Sequence, residues 1–142
     1  MNETIRNLTS DLEPDSERPS ERQIRVLTEL ANGQLPEDYI DFLRATGGAE
    51  GFVKEGGYLA LWPIGEILQA LDDFSIPKKA PWLLPIGSNG SSSAFAFDIT
   101  VEPGRCRIVE VPYLDIGRRR MERLRGDSFE GFLRSFVEYE DD

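Results

Sequence analysis

Leu35-Pro36-Glu37-Asp38-Tyr39-Ile40-Asp41-Phe42-Leu43-Arg44-Ala45-Thr46-Gly47-Gly48 decides how the rest of the chain is read. Pro36 suits the first turn of a helix, where its missing N–H is no loss. Glu37 and Asp38 complement the positive end of that helix, and Tyr39, Phe42, Leu43 and Thr46 share one face at helical spacing. Gly47 supplies the left-handed residue that stops it. The stretch therefore predicts a short helix, opened by a proline and closed by a glycine pair, whose apolar face must be laid on another element.

Downstream, Trp82-Leu83-Leu84-Pro85-Ile86 and Ala94-Phe95-Ala96-Phe97-Asp98 read as two strands. The polar run Gly87-Ser88-Asn89-Gly90-Ser91-Ser92-Ser93 between them reads as a hairpin loop, since it lacks the Lys-Ser/Thr ending and following helix of a phosphate-binding loop. Ser20 and Gln23 form a capping-box pattern ahead of Ile24, Leu27 and Ala31, and Asn32-Gly33 ends that helix. Phe52-Val53 and Tyr58 to Trp62 form a hairpin across Lys54-Glu55-Gly56-Gly57. Ile64, Ile67, Leu68 and Leu71 follow helical spacing, and Ser75 to Pro81 reads as an exposed connection. After the Glu102-Pro103-Gly104 turn, Cys106, Ile108 and Val109 to Val111 make a further strand. Asp127 or Ser128 caps a terminal helix carrying Phe129, Phe132, Leu133, Phe136 and Val137 on one face. The sum is an α+β single domain, an antiparallel sheet of about four to six strands covered by helices, over residues 20–142. Residues 1–19, with five acids, two prolines and few large apolar residues, read as an acidic N-terminal arm.

Composition narrows the function. A chain of 142 residues supports one domain that buries roughly two thirds of its unfolded surface. With no histidine, His-based triads, His-ligated metal and imidazole general bases are excluded. The lone Cys106 has no internal disulfide partner and fits core packing. A net charge of −10 repels nucleic acid and anionic lipid and speeds encounter with a cationic protein. No apolar run reaches the ~20 residues that cross a bilayer, and the N-terminus lacks a secretory pattern, so the expected location is cytoplasmic.

Glu50, directly after the glycine pair, and Asp98, at its strand end, are the acids best placed for partner contact, because loops beside rigid elements carry function. Asp98 equally fits a turn cap. Asp72 and Asp73, with the N-terminal acids and the tail Glu138, Glu140, Asp141 and Asp142, read either as a mimic of nucleic-acid phosphate or as a solvated face. Glu50 and Asp98 would serve as paired catalytic carboxylates only if the fold brought them close. Arg118, Arg119, Arg120, Arg123 and Arg125 form the one basic segment, read as pairing with surplus carboxylates or, alternatively, as binding phosphate. Trp62 and Trp82 read as core, with a ligand pocket as the alternative.

The ordered set of Leu35-Pro36, Asp38-Tyr39, Phe42-Leu43, Gly47-Gly48, Ile86-Gly87, Phe97-Asp98, Ser128-Phe129 and Phe132-Leu133 resembles the SUKH superfamily of bacterial toxin-immunity proteins and fungal cell-wall regulators, over about Ser20 to Phe136. The resemblance implies a helix-covered antiparallel sheet. It implies a non-enzymatic immunity protein that neutralises a cognate, basic toxin domain, or else a regulatory protein-binding module. The expected contacts are Glu50, Asp72, Asp73 and Asp98, with no cofactor, metal, nucleic acid or membrane involved.

Overall fold

The computed structural model describes residues 1–53, 57–100 and 107–137. Cys106, the Glu102-Pro103-Gly104 turn, most of the Lys54–Gly57 turn and the acidic tail from Glu138 lie outside the described residues.

The expected first helix of the domain, α2 (Glu21–Leu30), carries the complete capping box between Ser20 and Gln23. The deciding stretch forms α3 (Glu37–Thr46), with Pro36 at the N-cap position and Gly47 left-handed at φ 73°. Gly47 has a second reason to be glycine, because a Cβ there would overlap the Glu17 carbonyl oxygen. Chain reversal at Gly47-Gly48 leads into β2 (Ala49–Phe52) and β3 (Tyr58–Leu61). Then follow α4 (Ile64–Asp73), β4 (Leu83–Ser88), β5 (Ser93–Asp98) and β6 (Arg107–Pro112). The terminal helix, numbered α6 (Phe129–Val137), begins where the Ser128 hydroxyl accepts from the Gly131 amide at 2.9 Å.

Four elements, in three segments, were not legible as such. Ser75 to Pro81, expected as an exposed connection, contains a one-turn helix α5 (Ile76–Lys79) with Ile76 and Ala80 buried. Residues 1–19 contribute α1 (Glu3–Leu8), capped by Asn2, and the edge strand β1 (Glu13–Pro14); Ile5 is fully buried and Leu12 nearly so. The arginine-rich segment contributes β7 (Arg123–Gly126). The sheet thus has seven strands rather than four to six, all antiparallel neighbours in chain order. The two extra strands are the outermost ones, too short and too polar to show an apolar alternation.

Alternation along the strands gives the sheet two unequal faces. Leu59, Leu61, Leu84, Ile86, Phe95, Phe97 and Ile108 point to one side and pack with apolar residues of α1, α2, α3, α4 and α6. Tyr39 meets Phe97 and Phe129 edge-on at 5.0 and 5.2 Å, so the deciding helix is locked to both sheet and terminal helix. On the other side Leu83, Ala96, Val109 and Val111 pack under Ile76 and Ala80, with Leu71, Phe74, Trp82 and Ile116 at the margin. That smaller cover stops at β4 and leaves the outer face of β1, β2 and β3 bare.

Candidate functional site

The bare face is a groove of about 1070 Å³. Its floor follows from register. Glu13 is opposite Glu50, Glu50 opposite Ala60, and Ala60 opposite Ser88, so a row of small and acidic side chains crosses four strands. The next row out places Phe52 opposite Tyr58. Ala60 is the small residue in this floor, Gly90 of the β4–β5 loop lies against the Tyr58 ring, and Asp15, Trp62, Glu66 and Asn89 also line the groove.

Two features of this groove run against folding preference. Glu13 and Glu50 face each other directly across neighbouring strands, an arrangement that destabilises a sheet. Phe52 is 71% exposed, far from the burial normal for a phenylalanine. Its ring packs edge-on against Tyr58 at 5.2 Å, and the Tyr58 hydroxyl donates to the Glu50 carboxylate. That hydrogen bond pushes the Tyr58 hydroxyl above the ordinary tyrosine range and holds the Glu50 carboxylate beside the aromatic pair. The lining carries the carboxylates of Glu13, Asp15, Glu50 and Glu66 and, among the described residues, no lysine or arginine. Such a lining is chemically able to take positive charge together with a flat or apolar group.

Of the residues singled out from sequence, Glu50 lies in this groove. Asp72 and Asp73 do not: they are exposed at the far end of α4, roughly 9 Å along the axis from Glu66 at 1.5 Å per residue. Asp73 accepts from Gln69 at 2.9 Å, and Asp72 borders a small depression with Leu68, Leu71 and Lys78. Asp98 is 5% exposed and turned inward. One of its oxygens accepts from the Thr100 amide and hydroxyl, the other from Arg119 at 2.9 Å, so it caps a turn and anchors the arginine-rich segment. Glu50 and Asp98 are not brought together, because β3 and β4 lie between their strands, a separation of at least about 14 Å at the usual strand spacing.

The arginines are largely paired within the chain. Arg123 and Arg125 share Glu110 at 3.1 and 2.7 Å, Arg118 approaches Asp115 at 3.7 Å, and Arg119 lies 4.9 Å over Trp82. Trp82 donates to Glu122 at 2.8 Å, and burial raises that carboxyl above its ordinary value against the opposing pull of this hydrogen bond. Trp62, half-buried, divides itself between the core and the groove wall. Among the described residues no group of three or more carboxylates is arranged to hold a metal ion.

Sequence reasoning had Glu13 and Asp15 only as members of a diffuse N-terminal acid cluster, and it missed Phe52, Tyr58 and Glu66 as site residues. One signal was present: strict alternation in Ala49-Glu50-Gly51-Phe52 puts Phe52 on the face of Glu50 and opposite to Ala49. The rest depends on β1 pairing with β2, which two residues cannot announce. Comparison with known proteins places this geometry in context. The model of the SMI1 / KNR4 family (SUKH-1) matches residues 18–135. No curated protein matches the chain.

Proposed function

We propose, from the premise that this chain belongs to the SMI1 / KNR4 family (SUKH-1), that it is a cytoplasmic, non-enzymatic immunity protein whose groove docks a basic toxin domain. Membership accounts for a protein-binding role in general terms; the choice of partner and of face is our reading. The observation that carries it is the groove itself, where carboxylates and an exposed Phe52 packed on the half-buried Tyr58 are held together at a cost in folding preference. Four carboxylates on one face attract a cationic partner from a distance and accelerate encounter. Phe52, Tyr58 and Trp62 then supply the rigid contact area typical of residues that dominate binding energy. Neutralisation follows if the docked surface contains or overlaps the toxin's active site or substrate path. Asp72 and Asp73, exposed but off the groove, add to the long-range field only. A regulator that binds an endogenous protein through the same groove is the second reading, and the family supports it equally at the general level.

The test is co-expression with a toxin domain encoded beside this chain's gene, combined with calorimetry at low and high salt. Rescue of growth, with binding that weakens at high salt and falls about tenfold or more in the joint variant Glu13→Gln, Glu50→Gln, Glu66→Gln, is the expected result. Unchanged affinity and unchanged salt dependence in that variant would rule out the groove as the electrostatic interface. Absence of both rescue and binding would move the reading to the endogenous-partner alternative.

A further inference from the structure

The fold contains one arrangement twice. Arg119 is held between the Asp98 carboxylate at 2.9 Å and the Trp82 ring at 4.9 Å. Arg125 is held between the Glu110 carboxylate at 2.7 Å and the Phe136 and Phe95 rings at 4.7 and 5.4 Å. In each case a guanidinium gains a charge-assisted hydrogen bond in its plane and a ring against its face. The groove repeats the receiving half of this arrangement. The Glu50 carboxylate is fixed beside the Phe52–Tyr58 pair by the tyrosine hydroxyl, and Glu13 stands directly across from it on β1. No arginine of the described chain lines that place.

We propose that Glu50, Phe52 and Tyr58, with Glu13, form a subsite for one arginine side chain of the docked protein. The inference rests on the docking reading above and narrows it from a basic partner to a partner that presents an exposed arginine on a loop or edge. Arginine is selected over lysine because its planar group takes a carboxylate and a ring at once, whereas a compact, strongly hydrated ammonium gains little from the exposed ring. Glu13 and Glu50, opposed on neighbouring strands, offer two carboxylates to one guanidinium, whose charge offsets their mutual repulsion.

The test is titration of the full-length ¹⁵N-labelled chain, at low salt, with the blocked tripeptide Gly-Arg-Gly and its Gly-Lys-Gly counterpart. Amide shifts at Glu50, Phe52 and Tyr58 that saturate with the arginine peptide, with affinity about threefold or more above the lysine peptide, are expected. Phe52→Ala, at an exposed position that leaves the core untouched, and Glu50→Gln should each weaken the arginine response about threefold or more. An equal response to both peptides reveals only general cation attraction and overturns the proposal. So does a response that appears without peptide as the protein is concentrated, which would put the arginine-rich edge of a second copy in the groove. The two readings fail separately. Loss of toxin binding by Phe52→Ala, with no preference for the arginine peptide, would sink the subsite and leave the docking. Unchanged toxin binding by that variant, when the parent prefers the arginine peptide and the variant loses that response, would sink the docking and leave the subsite.

Discussion

Asp38 shows how a residue of the deciding helix is used against its own chemistry. It stands in the first turn of α3, where a carboxylate suits the helix dipole, yet one of its oxygens is buried without a hydrogen-bond partner among the described residues. Burial raises its carboxyl above the ordinary aspartate range, and Glu130 and Asp41 add to this while the Tyr39 amide opposes it. A carboxyl raised in the folded state favours folding when protonated. Its contribution is complete below the unfolded value and is lost as pH rises through the folded one. Asp38→Asn should therefore gain stability relative to the parent at neutral pH and lose that advantage on acidification toward the ordinary aspartate range. Thermal melts of both proteins across that window check this. An advantage that grows on acidification would mean that the helix end, not burial, governs Asp38.

At the scale of elements, the sheet depends on close approaches that only missing side chains permit. In β4 the register shifts between Pro85 and Gly87, which is how an interior strand tolerates a proline. At Gly87 a Cβ would overlap the Ala60 carbonyl oxygen on β3, directly beneath the groove. Gly87→Ala should cost about 1–3 kcal/mol and disturb the amide shifts of Ala60 and Tyr58. Gly65→Ala in α4, where a Cβ meets nothing, should instead stabilise by about 0.4–1 kcal/mol. Chemical denaturation of the two variants distinguishes these outcomes, and a neutral Gly87→Ala would contradict the packing argument. The same elements explain how far the sequence could be read. α2, α3, β4, β5 and α6 announced themselves through caps and periodicity, because each has a whole apolar face to bury. β7 could not. Arg123-Leu124-Arg125-Gly126 is a strand because Glu110 binds both arginines, Arg125 stacks on the Phe95 and Phe136 rings, and Gly126 lets the backbone of α6 approach. All of those partners are distant in sequence or emerge only from register. Half of the groove was hidden for the same reason, while Glu50 was legible from its place beside the glycine pair.

At the scale of the molecule, charge and core are distributed unequally along one sheet. The acidic groove occupies the β1–β3 end and the arginine-rich segment the β7 end, so a net charge of −10 is not evenly presented to a partner. The N-terminal segment belongs to this plan, since β1 contributes Glu13 and α1 lies against α3 and α6. Removing residues 1–12 would uncover the sites of Ile5 and Leu12, each worth about 1.5–3 kcal/mol of burial, a large share of the ~5–15 kcal/mol that holds a domain of this size. The truncated chain should melt at a markedly lower temperature, and an unchanged melting point would show the segment to be a passive arm.

The strand order of the sheet repeats the order of the chain from first to last. During synthesis each new strand therefore leaves the ribosome beside an edge that has already emerged, and no strand waits for a partner still to be translated. The groove, drawn from residues 13–16, 48–52, 58–66 and 88–91, has all of its parts outside before α6 is made. What the nascent chain lacks until α6 has been made is the row Phe129, Phe132 and Phe136, so the aromatic interior stays open while the strands of the groove are already complete.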